Sequence, residues 1–301
     1  MVLCVCVVQT MVSGLQAADP EELDNMIGHT HKGAIRATCF SPCGRLLAFT
    51  VADTVVNIVD SLSEDVIHTL QGMHEKTVIS LAFSPDGELL AQGSKDNTAT
   101  VTEVKTSKLL CKIEGHTAQI CAVRFSRDSK LVVVGSADGT ASVAQARSGE
   151  VMHTLKDAEH KGWIRAADFS PDGRLVVLGN DDHTASVWDT ETGQQRCVIE
   201  SLHTKGIMAA RFTADGKRLM LGSADKTVSA VDATRLQDGE WSRLFRVDCK
   251  HTDAGDIWSL NFSDDGRRIV LGSSDSVVSV VCFPSALLHS RLCFREHVDD
   301  S

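Results

Sequence analysis

One triplet of residues recurs along this 301-residue chain, and its period leaves few folds open. His31, His74, His116, His160 and His203 are each followed nine positions later by Phe40, Phe83, Phe125, Phe169 and Phe212. Each Phe is followed thirteen positions later by Asp53, Asp96, Asp138, Asp182 and Asp225. A sixth copy, His251, Phe262 and Asp275, keeps the second step and lengthens the first to eleven through an insertion within residues 252–256. Successive histidines stand 43, 42, 44, 43 and 48 residues apart. Self-similarity at such a period marks a chain of stacked supersecondary units, each unable to bury its apolar faces alone.

Each unit reads as four short strands. An apolar stretch ending in Phe, such as Ile164 to Phe169, runs into a turn. The turn is Ser84-Pro-Asp-Gly87, Ser170-Pro-Asp-Gly173, Thr213-Ala-Asp-Gly216 or Ser263-Asp-Asp-Gly266, with weaker versions at Ser41 and Ser126. Proline presets φ there, and glycine supplies the residue that must turn positive. A second apolar strand follows, then a third alternating with period two, as in Thr184 to Trp188, then a fourth leading to the next His. No segment keeps a long 3.6-residue period, so helix should be scarce.

Composition narrows the function classes. Hydrophobic residues make up 43% and charged residues 23%, at a mean hydropathy of −0.04, which suits a globular chain. No apolar run reaches the length of a membrane-spanning helix, so no membrane partner is expected. A net charge of −10 argues against non-specific nucleic-acid binding. Aromatics are 5%, without tyrosine, which argues against base-stacking platforms. None of the ten cysteines forms a Cys-x-x-Cys pair. They read as thiols of a reducing compartment, and the chain as cytoplasmic. Residues 1–8 read as a β-strand or as the apolar part of a signal peptide cut after Ala18; no basic residue precedes the run.

Four strands per unit, with Gly115-His116 and Trp188-Asp189, resemble the WD-repeat (WD40) family of β-propellers. The resemblance spans His31 to about Arg295, six units in register. Trp-Asp survives once; the other units carry Val59-Asp60, Thr102-Glu103, Ala144-Gln145, Val231-Asp232 and Val281-Cys282. The family's hydrogen-bond chain joins Trp, Ser/Thr, His and Asp. The hydroxyl two before the Asp is Ser94, Ser136, Ser223 or Ser273, and unit four has Asn180 there. The resemblance implies an all-β propeller of four-stranded antiparallel blades. Six full blades are expected over 31–301, with a partial seventh of two strands and an acidic connector in 1–30.

Six His–Asp pairs invite an acid–base or metal reading. They recur once per unit, around a ring, whereas an active site needs convergence on one place. They read as internal fastening, and Asp264-Asp265 and Asp181-Asp182 as turn chemistry. His29-x-His31 lacks further ligands nearby. We therefore assign no catalytic residue, metal, cofactor or small-molecule substrate.

Most propellers of this family hold protein partners, so the expected function is a non-catalytic scaffold within a multiprotein complex. The alternatives are a substrate receptor of a cullin-type ubiquitin ligase and, less favoured, a propeller enzyme. The first wants Trp-Asp-x-Arg, and here Trp188-Asp189-Thr190 runs into Glu191. Partner contacts in the family come from the top face. Carried onto this chain, three positions per unit select Trp163, Arg165 and Asp181 in unit four. Asp256, Trp258 and Met208 form a second group toward unit six, and Arg36 and Lys95 stand at matching places in units one and two. Trp and Arg are the types enriched at binding hot spots.

Overall fold

Each repeat closes into one four-stranded antiparallel sheet whose strands pair in chain order. The computed structural model describes residues 35–51, 53–157, 162–248, 257–262, 268–273, 278–282 and 293–295, and from residue 247 onward the backbone alone. Six such sheets lie among the described residues. The only helical element among them is a single turn, Leu236–Asp238. The expected strand remnant and connector in 1–30 lie outside the described residues.

The first strands are Thr38–Phe40, Val78–Phe83, Ile120–Phe125, Ile164–Phe169, Ile207–Phe212 and Ile257–Phe262. From blade one to blade six, each first strand touches the first strand of the following sheet, as blades stacked about a common axis must. The turn after the first strand forms as its sequence dictates. Gly44, Gly87, Gly173 and Gly216 take φ between 69° and 74°, and in unit three Ser129 takes 61° instead. The turn's first hydroxyl accepts from the backbone beyond it, as Leu175 N–H donates to Ser170 Oγ at 2.9 Å.

The core lies between blades. In Leu131–Ser136, Val132 and Val134 pack toward blade two, while Val133 packs with blade four. A strand buried on both pleats must be apolar at every position. That is why the second strands of blades three and four read as unbroken apolar runs, while in blade two the buried Gln92 is hydrogen-bonded to Thr102. The glycine ending each run is a contact requirement. A Cβ on Gly93, Gly135 or Gly179 would sit 2.7–2.8 Å from the Cγ2 of Ile120, Ile164 or Ile207 on the next blade.

The insertion after the third strand of blade five folds back onto blade four. Leu236 is fully buried, and Trp241 packs against the same core with its Nε1–H donated to Val198 O at 3.1 Å. A packed Trp241 is what its size and sequence setting imply. No helix among the described residues is long and apolar enough to cross a membrane.

Candidate functional site

The His–Asp pairs form in blades two, three and five. His74 Nδ1 lies 2.9 Å from Asp96 Oδ2 and Nε2 lies 3.0 Å from Thr100 Oγ1. An ionised carboxylate only accepts, so Nδ1 carries the proton and Nε2 accepts from the threonine. His116 repeats this with Asp138 at 3.1 Å and Ser142 at 3.0 Å. Asp138 Oδ2 also accepts the Thr117 N–H at 2.8 Å, and Oδ1 accepts the Thr140 hydroxyl at 2.6 Å. Burial pushes the Asp138 pKa upward. The bonds from the Thr140 hydroxyl and from the Thr117 and Thr140 N–H groups outweigh it and hold the carboxyl below its ordinary range. In blade five, His203 meets Asp225 at 3.2 Å, but His203 Nε2 and Ser229 Oγ are buried without a hydrogen-bond partner.

The pairing differs from the sequence expectation in two ways. In blades two and three the hydroxyl at ring Nε2 is four residues after the Asp, not two before it, and in blade five the ring meets Thr227, two after the Asp, at 3.0 Å. Ser94 and Ser136 instead donate to the carbonyls of Lys76 and Ala118 and accept the N–H of Asp96 and Asp138. Unit one departs further. Its left-handed residue is Asp53 itself at φ 66°, where blades two to five use the residue after the Asp. Its carboxylate is 60% exposed and 4.0 Å from Arg36. His31, His160, His251 and Asp275 lie outside the described residues. In unit four, Trp188 Nε1–H donates to Ser186 Oγ at 2.9 Å, and Asp182 accepts from Thr184.

The top-face positions acquire their geometry from a β-bulge. In blades two to six the pairing of the first strand with the second skips one residue, between Ile164 and Ala166 in blade four. The skipped residues are Ile79, Cys121, Arg165, Met208 and Trp258, the second candidate position in each unit. A bulged residue is unpaired and its side chain is re-aimed. A backbone bond then draws in the third position. Asp181 N–H donates to Trp163 O at 2.9 Å, and Lys95, Ala137 and Ala224 do the same to Thr77, Gln119 and Gly206.

Blade four fills this frame with three large polar or aromatic groups in contact. Arg165 Cζ lies 4.3 Å from the Trp163 ring centroid. Arg165 Nε donates to Asp181 Oδ1 at 3.1 Å, and a second nitrogen reaches Oδ2 at 3.5 Å. Trp163 remains 42% exposed. Sequence reasoning missed two supports. A Cβ on Gly206 would lie 2.8 Å from Asp181 Oδ1, and one on Gly162 would lie 2.6 Å from Asp182 N. Glycine at 162 lets the backbone of Asp181 and Asp182 approach this turn, and glycine at 206 leaves space for the Asp181 carboxylate where units two, three and four carry Thr77, Gln119 and Trp163. Cys121 of blade three lies within the influence of both Arg165 and Asp181, although burial dominates and pushes its thiol upward.

Lys95 is exposed on blade two, and Arg36 is exposed on blade one with its N–H donated to Thr50 Oγ1. Met208 is half-buried on blade five. Trp258 lies on the first strand of blade six, its side chain outside the described residues, as is all of Asp256. Among the described residues, no group of three His, Cys, Asp or Glu side chains is placed to hold a metal. Trp188-Asp189 is occupied: Asp189 accepts from Arg196 at 2.5 Å and from Gln237 of the insertion at 3.1 Å.

Comparison with known proteins agrees with this architecture. The family model described as WD domain, G-beta repeat matches residues 21–60, 64–101, 107–143, 149–189 and 244–281. The matched segments leave out 190–243, where the first three strands of blade five fold all the same. The WD repeat-containing protein VIP3 of Arabidopsis thaliana is 35% identical over 94 residues, covering 27% of this chain and 29% of that protein. The COMPASS component SWD3 of Saccharomyces cerevisiae is 31% identical over 94 residues, covering 31% of this chain and 29% of that one. Both matches thus span under a third of the relatives' length. A chain in a crystal structure of a mitotic checkpoint complex superposes with a TM-score of 0.74 at 18% identity, covering 84% of this chain and 75% of that chain. That likeness bears on the fold alone.

Proposed function

Because this chain belongs to the WD40 family, we propose that it is a non-catalytic scaffold whose top face holds a protein or peptide partner within a multiprotein complex. The observation that carries this reading is the exposed Trp163, braced by Arg165 and Asp181 where equivalent places in blades three and five hold Gln119, Cys121 and Ala137 or Gly206, Met208 and Ala224. An exposed tryptophan that is held rigidly loses little freedom on binding and offers a large apolar area, the profile of a hot spot. One comparison supports partners of this kind, since one relative is a component of COMPASS.

The ring itself is proposed as six blades plus two strands from the N-terminal thirty residues, which cover the open edge. Cytoplasmic residence is proposed from the thiols. Cys39, Cys43, Cys111, Cys121 and Cys197 are in no disulfide, and burial pushes Cys197 up to about 11. Non-reducing alkylation should label all ten cysteines, and two or more intramolecular bridges would overturn that residence.

The function is tested by affinity capture from native lysate. Trp163→Ala with Arg165→Glu should lower partner recovery tenfold or more, about 1.4 kcal/mol, while thermal unfolding stays near that of the parent protein. Unchanged recovery would move the partner to the sides or the opposite face.

A further inference from the structure

We infer that the fourth strand of blade one, Val66–Leu70, pairs edge to edge with the same strand of a second copy of this chain. The inference concerns the outer rim of the molecule and goes beyond the top-face function proposed above.

Each fourth strand ends its sheet, and no further strand lies beside it among the described residues. Such an edge offers backbone donors and acceptors to any extended chain, and lysine or arginine on it is a common guard. Lys112, Lys156, Arg196, Arg243 and Arg295 stand within the fourth strands of blades two to six. The strand Val66–Leu70 holds neither lysine nor arginine. Blade three repeats four of its five residues, as Val151, His153, Thr154 and Leu155, and then adds Lys156 where blade one has Gln71. The blade-one edge is also apolar. Val66 is 56% exposed and Ile67 47%, and Leu62 in the turn before them is 84% exposed.

An edge of this kind takes an extended strand, because a strand supplies the matching row of backbone groups. The charges favour the chain's own copy. Two copies related by a two-fold axis normal to the sheet pair antiparallel, and the same patch serves both sides. The acids Glu64 and Asp65 precede the strand, while the uncharged Gln71 and Gly72 follow it. Antiparallel pairing sends the acids of each copy to the neutral end of the other, so no like charges meet along the seam. With the axis at Ile67, Val66 faces His68 of the second copy, and Leu62 approaches its Gly72. A Cβ added to Gly72 would meet nothing within 4 Å, so the surface there leaves room for the exposed leucine. The seam is short. Two five-residue strands bury less than the about 800 Å² per partner of a standard stable complex, so the dimer is weak. The net charge of −10 on each copy opposes approach at long range, and salt relieves that repulsion.

The test is sedimentation equilibrium of the full chain from about 10 to 300 µM, the range a weak interface needs. The average mass should climb from 32.5 kDa toward a plateau at twice that value. Raising salt from about 50 to 500 mM should tighten the dimer, since screening shortens the reach of the net charge. Ile67→Lys supplies the missing guard and should weaken association at least tenfold, and Leu62→Asp at least threefold. Both side chains are exposed, so thermal unfolding should stay near that of the parent protein. Met152→Lys, the matching change on blade three, should leave association intact. Hydrogen exchange at residues 66–70 should slow as concentration rises. A chain that stays monomeric, mass growth without a plateau, or dimerisation weakened by salt would each overturn the pairing. So would an Ile67→Lys or Leu62→Asp variant that associates like the parent, or an equal loss in Met152→Lys. A monomer whose residues 66–70 are protected at every concentration would show another segment of the same chain on that edge, and would overturn it too.

Discussion

Blades three and four are neighbours built from the same repeat, yet their upper loops differ. Blade three completes its fastening, with His116 held between Asp138 and Ser142, and leaves Gln119, Cys121 and Ala137 on top. Blade four keeps the frame, including the bulge and the bond to the third position, and places Trp163, Arg165 and Asp181 in it. The frame recurs because every blade needs the same buried backbone groups satisfied. The side chains it presents are free to vary, because nothing in the core depends on them. Stability and recognition therefore sit on different residues only a few positions apart.

Paired substitutions break this comparison most directly. Asp138→Ala leaves the Thr117 and Thr140 N–H groups and His116 without their acceptor, and should cost about 1–3 kcal/mol in urea unfolding. Asp181→Ala removes an exposed ion pair and should cost less than about 1 kcal/mol. Partner capture should show the reverse order. Equal destabilisation by the two would mean that blade four uses its loop for fastening as well.

Acid sharpens the fastening side. Burial first of all lowers the His74 pKa, against the opposing pull of Asp96. The unfolded chain therefore takes up that proton before the folded one does. The stability linked to His74 is full above about pH 6.5 and falls as pH drops below it, by at most about 1.4 kcal/mol per pH unit for one proton. A second loss begins below about pH 4, where Asp96, Asp138 and Asp225, all held below the ordinary carboxyl range, start to protonate in the unfolded chain. Asp168 runs the other way, since burial raises its pKa against the charges of Arg211 and Arg124. Thermal midpoints measured from pH 7 to 5 should decline, and His74→Gln should flatten that decline. An unchanged slope in the variant would remove His74 from the account.

Gly206→Ala probes the recognition side alone. The new methyl group would displace Asp181 and should lower partner capture about threefold, under 1 kcal/mol, with little change in unfolding. The smallest effect is expected at Ser107. Blades three and four put Gly149 and Gly193 at the left-handed place between their third and fourth strands, whereas blade two puts Ser107 there at φ 59° with its hydroxyl buried and unbonded. Ser107→Gly should raise stability by about 0.5 kcal/mol, the relief of left-handed strain less the added chain entropy. A loss of stability there would show that the serine makes a contribution its geometry does not reveal.

The sequence by itself determined the period, the four strands per unit, the turns at Gly87, Gly173 and Gly216, and the partnership of His74 with Asp96 and of His116 with Asp138. These are legible because they depend on residues close in the chain, or on a spacing repeated often enough to exclude accident. It also placed Trp163, Arg165 and Asp181 at equivalent positions of one unit. Only the tertiary structure decided how those positions meet. The hydroxyl on the histidine is Thr100 or Ser142, because the third strand's pleat aims that residue at the ring while Ser94 and Ser136 face a strand-edge carbonyl. Asp53 leaves the pattern because its hairpin takes its left-handed residue one position early. Arg165 reaches both Trp163 and Asp181 because the bulge frees it from the sheet, and Asp181 fits because Gly206 belongs to a different blade. Contacts made between blades depend on how two separately folded sheets approach each other, and no spacing within one repeat records that distance.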